Sequence, residues 1–125
     1  MNARLQPEPW HRPMTVPDTD AVLRIEQAAY AFPWTRGNFI DSLAAGYRCE
    51  LRFDADGTLA GYTVAMSAVD EVHLLNVTVA PALQGRGHAR ALIARLLDDA
   101  RDQGRLSLWL EVRPSNARAR ALYRR

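Results

Sequence analysis

The sequence predicts an α/β fold: a mixed β-sheet with helices on its faces. Apolar runs of strand length alternate with longer runs of helical period. The turn "DADG" at 54–57 joins two strand-like runs closely enough for an antiparallel hairpin. Further on, a run ending at Ala80, an Ala- and Leu-rich run and "LSLWLEV" form a strand–helix–strand unit, whose crossover requires parallel strands.

Residues 1–13 carry three prolines and few periodic apolar positions, so they read as a loose arm. The domain proper is expected over 14–125, opening on a short strand near Met14–Val16. In "PDTDAVLRIEQAAY", Asp18 suits an N-cap, and Val22, Ile25 and Ala29 recur at helical spacing. Pro33 ends that helix, because it lacks an N–H and disfavours helix before it. Thr35 caps a second helix with Phe39, Ile40 and Leu43 on its inner face. "YRCELRF", "TLAGYTVAMSAV" and "EVHLLNVTVA" read as three strands, the last ended by Pro81. A helix from about Gly87 to Gln103 follows, with Leu92, Ile93, Leu96, Leu97 and Ala100 as its stripe and Gly104 as its stop. The density of large apolar residues in "LSLWLEV" predicts a buried strand, and "SNARARALYRR" a last helix capped by Ser115 or Asn116.

Composition narrows the function classes. A chain of 125 residues, 48% of them hydrophobic, fits one domain with a core. The net charge of +2 gives no bulk electrostatic case for direct nucleic-acid binding. Cys49 is the only cysteine, so no intrachain disulfide forms, no zinc spacing exists and no metal is expected. "MNARLQPEPWHRP" lacks the apolar stretch of a signal peptide, and no run reaches the roughly 20 apolar residues of a bilayer span. The expected setting is the cytoplasm, away from membranes.

The stretch "NVTVAPALQGRGHAR", residues 76–90, carries the chemistry. A helix N-terminus offers amides without helical partners and a partial positive charge. Gly85 and Gly87 leave that backbone bare, and Arg86 and Arg90 add formal charge. The combination favours phosphate or pyrophosphate, against the plainer reading of a tight turn with solvated arginines. It fits neither the ATP P-loop pattern nor a full dinucleotide fingerprint.

"VTVAPALQGRGHARALI" resembles the acetyl-CoA signature of the GNAT acetyltransferase superfamily, Q/R-x-x-G-x-G/A, met here by Gln84, Gly87 and Ala89. "LWLEVRPSNARARALY" and "IEQAAYAFPWTRGNF" are similar to one branch of it, the bacterial ribosomal-protein-alanine N-acetyltransferases. The resemblance implies a GNAT-type sheet in which the strands flanking the loop run parallel and splay apart, with the acetyl-CoA arm in the gap. By the same resemblance, the backbone of Val77, Thr78 and Val79 pairs with that arm. Gly85, Arg86, Gly87, His88, Ala89 and Arg90 wrap the pyrophosphate, His88 through its backbone N–H, and Asn116 contacts the pantetheine.

Acetyl transfer to an amine needs a neutral nucleophile, whereas an α-ammonium has a pKa of roughly 8. A carboxylate near the gap would take its proton, and a tyrosine would protonate the departing thiolate. Glu111 is a charged residue inside an apolar strand, read either as such a base or as the partner of an arginine. The resemblance makes Glu111 the general base and Tyr123 the general acid. Glu71 is a rival base, His73 a weaker one, and Cys49 has no base near it in sequence. Tyr30, Phe32, Pro33 and Trp34 read equally as a core corner and as one wall of an acceptor groove.

The resemblance also implies two further strands beyond the last helix, which this chain, ending at Arg125, lacks. Their absence would leave "LSLWLEV" as an apolar edge, so the expectation is a monomer, or association through that edge. The implied reaction is acetylation of the N-terminal alanine of a small-subunit ribosomal protein. Rival readings are acetylation of a lysine or a small-molecule amine, and a CoA-binding module without turnover.

Overall fold

The computed structural model describes residues 7–105 and 107–110. Their elements are β1 (Trp10–Pro13), α1 (Thr19–Ala29), α2 (Arg36–Ala44), β2 (Arg48–Phe53), β3 (Leu59–Ser67), β4 (Glu71–Val79), α3 (His88–Asp102) and β5 (Ser107–Leu110). The five strands lie in sequence order in one sheet, antiparallel from β1 to β4 and parallel between β4 and β5. The mixed sheet with one parallel pair is the arrangement the sequence predicts. The expected helix over 115–125, with Glu111, Asn116 and Tyr123, lies outside the described residues.

Two local expectations are corrected. The first strand is not at Met14–Val16 but at Trp10–Pro13, inside the segment read as an arm. Trp10 stacks on Phe53 at 4.2 Å and the Arg12 guanidinium lies 5.1 Å from the same ring, which sets the register earlier. As an edge strand, β1 tolerates Pro13 at its end. Met14 is instead buried in the core, and Val16–Asp18 form a 3-10 turn. Asp18 stands at the N-cap of α1, but its side chain does not cap it. The carboxylate instead takes bonds from Arg12 and from the Thr15 amide and hydroxyl, each at 2.8 Å.

The second correction concerns "LSLWLEV". Trp109 is 55% exposed, because among the described residues β5 is an edge strand and alternate side chains leave the core. Leu108 points the other way, against the cluster under α3.

Two apolar clusters sandwich the sheet. Leu92, Leu96 and Ala100 of α3 meet Ala65, Val72, Leu74 and Val77 on one face. Val22 and Phe39, from α1 and α2, meet Cys49, Leu51, Tyr62 and Val64 on the other. The α2 cap forms as expected, with Thr35 Oγ1 accepting from the Asn38 amide.

The alternation of "RCELRF" places Arg48, Glu50 and Arg52 toward α3. There they meet Asp99 at 3.0 Å, Arg95 at 2.6 and 3.0 Å, and His88 at 2.8 Å. Between β3 and β4 the register steps over Leu75: Ala65 faces Leu74, and Val64 faces Asn76. Such a bulge exchanges the two faces. Val72, Leu74 and then Val77 therefore all turn to α3, while Asn76 and Thr78 turn to α1. The described β4–β5 pairing ends at Leu74 and Leu110, immediately before this bulge.

Candidate active site

Beyond the bulge, β4 runs to Val79 and delivers the chain to the glycine loop. Pro81–Leu83 make a 3-10 turn, and Gln84 Nε2 donates to the Val79 carbonyl at 3.2 Å, tying the loop to the strand end. Gly85 and Gly87 adopt φ of 83° and 86°, the left-handed region open to glycine. Gly87 is the N-cap of α3, and the Ala91 amide makes the helical bond back to it at 3.0 Å. The amides of His88, Ala89 and Arg90 precede that bond, where helical partners are lacking. The same three residues line a cavity of about 210 Å³ with Val79, Gln84, Gly85 and Gly87. The glycine-rich spacing singled out in the sequence thus falls on a hollow at a strand–helix junction, where unpaired amides and the helix dipole would favour an anion.

The His88 side chain turns away from solvent and is 4% exposed. Its Nδ1 accepts from Arg52 Nε at 2.8 Å, so its ring belongs to the interior while its backbone borders the cavity. Burial first, and then the Arg52 charge, hold its pKa below the usual histidine value.

The rival bases lie toward the other end of β4 from the glycine loop. Glu71 opens β4, eight strand residues before Val79, roughly 26 Å away at about 3.3 Å each. It is paired with His73 at 2.9 Å, whose ring stacks against Trp109. Cys49 is buried, and desolvation pushes its thiol up to about 11, which disfavours the thiolate a covalent route needs.

The Tyr30–Trp34 corner divides its labour. Trp34 packs on Phe39 with ring centroids 5.3 Å apart, and Tyr30 reaches β4, its hydroxyl 2.8 Å from Thr78 Oγ1 and 3.2 Å from the Val77 carbonyl. Phe32 is 91% exposed beside them. Both readings of this corner therefore find residues to carry them.

Sequence reasoning overlooked Glu26 and Asn76. Glu26 is wholly buried on α1 and accepts from Tyr62, Asn76 and the Trp34 amide. One signal was available: Glu26 stands four residues after Val22, a carboxylate on the inward stripe of its helix. Among the described residues, no group of three or more metal-ligating side chains is found, and no helix is long and apolar enough to cross a membrane.

Comparison with known proteins gives this architecture its class. The acetyltransferase (GNAT) family model matches residues 19–125, and the chain belongs to that family of acetyltransferases. Within it, the chain is 39% identical over 110 residues to the ribosomal protein bS18-alanine N-acetyltransferase of Salmonella typhimurium, covering 88% of this chain and 74% of that one. The enzyme of the same name from Escherichia coli K12 is 39% identical over 106 residues, 85% of this chain and 71% of its own. The crystal structure of the ribosomal-protein-S18-alanine N-acetyltransferase from Escherichia coli superposes with a TM-score of 0.84 at 35% identity, over 93% of this chain and 74% of that one. The PaiA N-acetyltransferase of Thermoplasma acidophilum, solved with coenzyme A, shares the fold alone: TM-score 0.81 at 12% identity, covering 94% of this chain and 87% of that one.

Proposed function

We propose that this chain transfers the acetyl group of acetyl-CoA to the α-amine of the N-terminal alanine of ribosomal protein bS18, in the cytoplasm. The observation that carries the reading is the loop from Gln84 to Arg90. Two left-handed glycines bare the first amides of α3 beside a cavity at the end of β4, in a chain similar along most of its length to enzymes of that name. The cavity suits the pyrophosphate of acetyl-CoA: amides and the helix dipole meet the charge, and Arg86 and Arg90 add to it. The backbone of Val77, Thr78 and Val79 offers an extended edge to the pantetheine arm. Asn116 is assigned a contact to that arm.

In this reading Glu111 takes a proton from the alanine ammonium, directly or through water. The freed amine attacks the thioester carbon, and the Val77 N–H stabilises the oxygen as it gains charge. As the carbon–sulfur bond breaks, Tyr123 gives its proton to the leaving thiolate, and the second proton shed by the attacking nitrogen restores the tyrosine, directly or through water. The chain uses no metal in this scheme. Transfer is direct, in keeping with the buried, weakly acidic thiol of Cys49.

The test is CoA release from acetyl-CoA with a peptide copying the bS18 N-terminus, beside a lysine peptide blocked at its α-amine and a polyamine. Turnover is expected with the alanine peptide, and Glu111→Gln should lower it by about a hundredfold or more. A faster rate on lysine or polyamine overturns the acceptor assignment. CoA binding without turnover on any acceptor makes the chain a binding module instead.

A further inference from the structure

A carboxylate buried in a small core must have its charge met, and an apolar side chain of the same volume would often serve stability as well or better. Glu26 is 0% exposed, and its donors come from three separate elements. Its Oε2 accepts from the Trp34 amide at 2.8 Å, at the corner between α1 and α2. Its Oε1 accepts from the Tyr62 hydroxyl of β3 at 2.7 Å and from Asn76 Nδ2 of β4 at 3.1 Å.

Asn76 is the first residue after the step at Leu75, where the ladder constrains β4 least. Its amide is fixed at both ends: Nδ2 donates to Glu26, and Oδ1 accepts from Thr78 Oγ1 at 2.7 Å. Thr78 Oγ1 spends its proton on Asn76, so the Tyr30 hydroxyl, 2.8 Å away, is the donor in that contact. The two side chains locked in this way flank Val77 on the strand, and the Tyr30 hydroxyl also lies within reach of the Val77 carbonyl. Glu26 thus stands at the root of a chain of bonds that sets the peptide planes on either side of Val77.

We infer that Glu26 is a positioning residue for acetyl transfer, acting through Asn76 and Thr78 to aim the Val77 N–H just beyond the β4 bulge. The inference rests on the proposed function, since it assigns that N–H to the thioester oxygen. The same carboxylate holds the Trp34 amide, so it fixes the α1–α2 corner relative to the reacting strand. Aim matters because stabilisation of a developing charge falls steeply with misplacement of the donor. The main grip on acetyl-CoA is that of the Gln84–Arg90 loop on the diphosphate, and none of the three donors to Glu26 named above belongs to that loop, while the pantetheine pairing along Val77–Val79 adds a smaller share. Loss of the carboxylate should therefore appear in kcat and not in KM for acetyl-CoA.

The polarity of the Glu26–Asn76 bond allows a specific test. Asn76→Asp sets two carboxylates face to face, whereas Glu26→Gln leaves one oxygen for donors on two sides, so that either the Trp34 amide meets an N–H or the Asn76 amide must turn over and give up the Thr78 proton. Combined, they reverse the bond: the new carboxamide donates across to the new carboxylate and to the Tyr62 oxygen, and its carbonyl still accepts from Trp34. With acetyl-CoA and the alanine peptide, each single variant should lose about tenfold in kcat per folded molecule, with KM for acetyl-CoA within about twofold of wild type. The double variant should recover to within about threefold of wild type. Should a single variant not fold, Thr78→Val decides, because it removes the Asn76 clamp and leaves the carboxylate; its kcat should drop about threefold.

Single variants with the wild-type kcat, a loss carried wholly by KM, a double variant no better than the worse single, or an unchanged Thr78→Val would each overturn the inference. A wild-type chain that acetylates no alanine peptide defeats the proposed function and the inference together. A wild-type rate that the variants match defeats the inference alone.

Discussion

Arg52 Nε donates to His88 Nδ1 at 2.8 Å, and a second nitrogen of the same guanidinium lies 3.1 Å from His11 Nε2. A guanidinium only donates, so both ring nitrogens are held as bare acceptors and both rings as neutral. One side chain on β2 thereby links the edge strand β1 to the first residue of α3, where the glycine loop ends. Protonating either histidine would set a cation against Arg52.

Acid sensitivity follows from this pairing. Burial first, then Arg95 and Arg52, push His11 down to about 4 from an ordinary 6.5, and His88 is shifted in the same direction. The unfolded chain therefore binds more protons than the folded one between those values, and stability must fall as pH drops from about 6.5 toward 4. Carboxylates such as Asp18, held well below its ordinary value by Arg12, add their losses only at lower pH. Between pH 7 and 5 the His11 contribution is about 1 kcal/mol after allowance for solvent screening. Thermal midpoints across this range should slope less for His11→Gln, which keeps an acceptor but does not titrate. Parallel slopes would contradict the pairing.

Gly61→Ala should be severe although the residue lies on an ordinary strand. A Cβ there would meet the Thr78 carbonyl, with the Val79 Cα at 3.2 Å and the Leu92 side chain at 3.3 Å. The carbonyl is backbone and cannot swing aside, so β4 must move where it approaches the loop. A loss of about 2–3 kcal/mol in urea unfolding is expected.

Gly87→Ala separates strain from crowding. Nothing lies within 4 Å of a Cβ at this position, but φ is 86°. The cost is that of the left-handed backbone alone, about 1–2 kcal/mol. Relief of that strain would turn the His88 and Ala89 amides, so titration with CoA should show weaker binding. Unaltered affinity would mean that those amides do not hold the diphosphate.

Glu50 is 7% exposed and takes two bonds from Arg95. Burial works to raise its pKa, but the Arg95 bond and the nearby Arg48 and Arg95 charges outweigh it and leave it lowered. Stability from this group is thus present above the ordinary carboxylate range and lost in acid. Glu50→Ala leaves both arginines facing a void under α3, and should destabilise the fold by about 1–2 kcal/mol, since Arg95 can still reach water. Equilibrium unfolding at pH 7 reads this directly.

Phe32, at 91% exposed, contributes little to the core. Phe32→Ala should leave the unfolding free energy within about 0.5 kcal/mol of wild type. If the corner walls the acceptor groove, KM for the alanine peptide rises about threefold or more while KM for acetyl-CoA stays put. An unchanged peptide KM assigns the corner to folding only.

Periodicity and punctuation suffice for most of this architecture. The stripe of α3, the Thr35 cap, the Asp54–Gly57 turn and the paired glycines at 85 and 87 are local preferences, fixed by dihedral freedom and by which neighbours lie three or four residues away. The glycine loop is legible for the same reason: its amides and its helix are contiguous in the chain. Glu26 is not legible in this way. A carboxylate on an inward stripe looks like an error of pattern until Tyr62 and Asn76, thirty-six and fifty residues away, supply its donors. The strand at Trp10–Pro13 likewise depends on the distant ring of Phe53, and the step at Leu75 on a register between two strands. Desolvation and register are properties of surfaces brought together, and a linear sequence records each partner without recording the encounter.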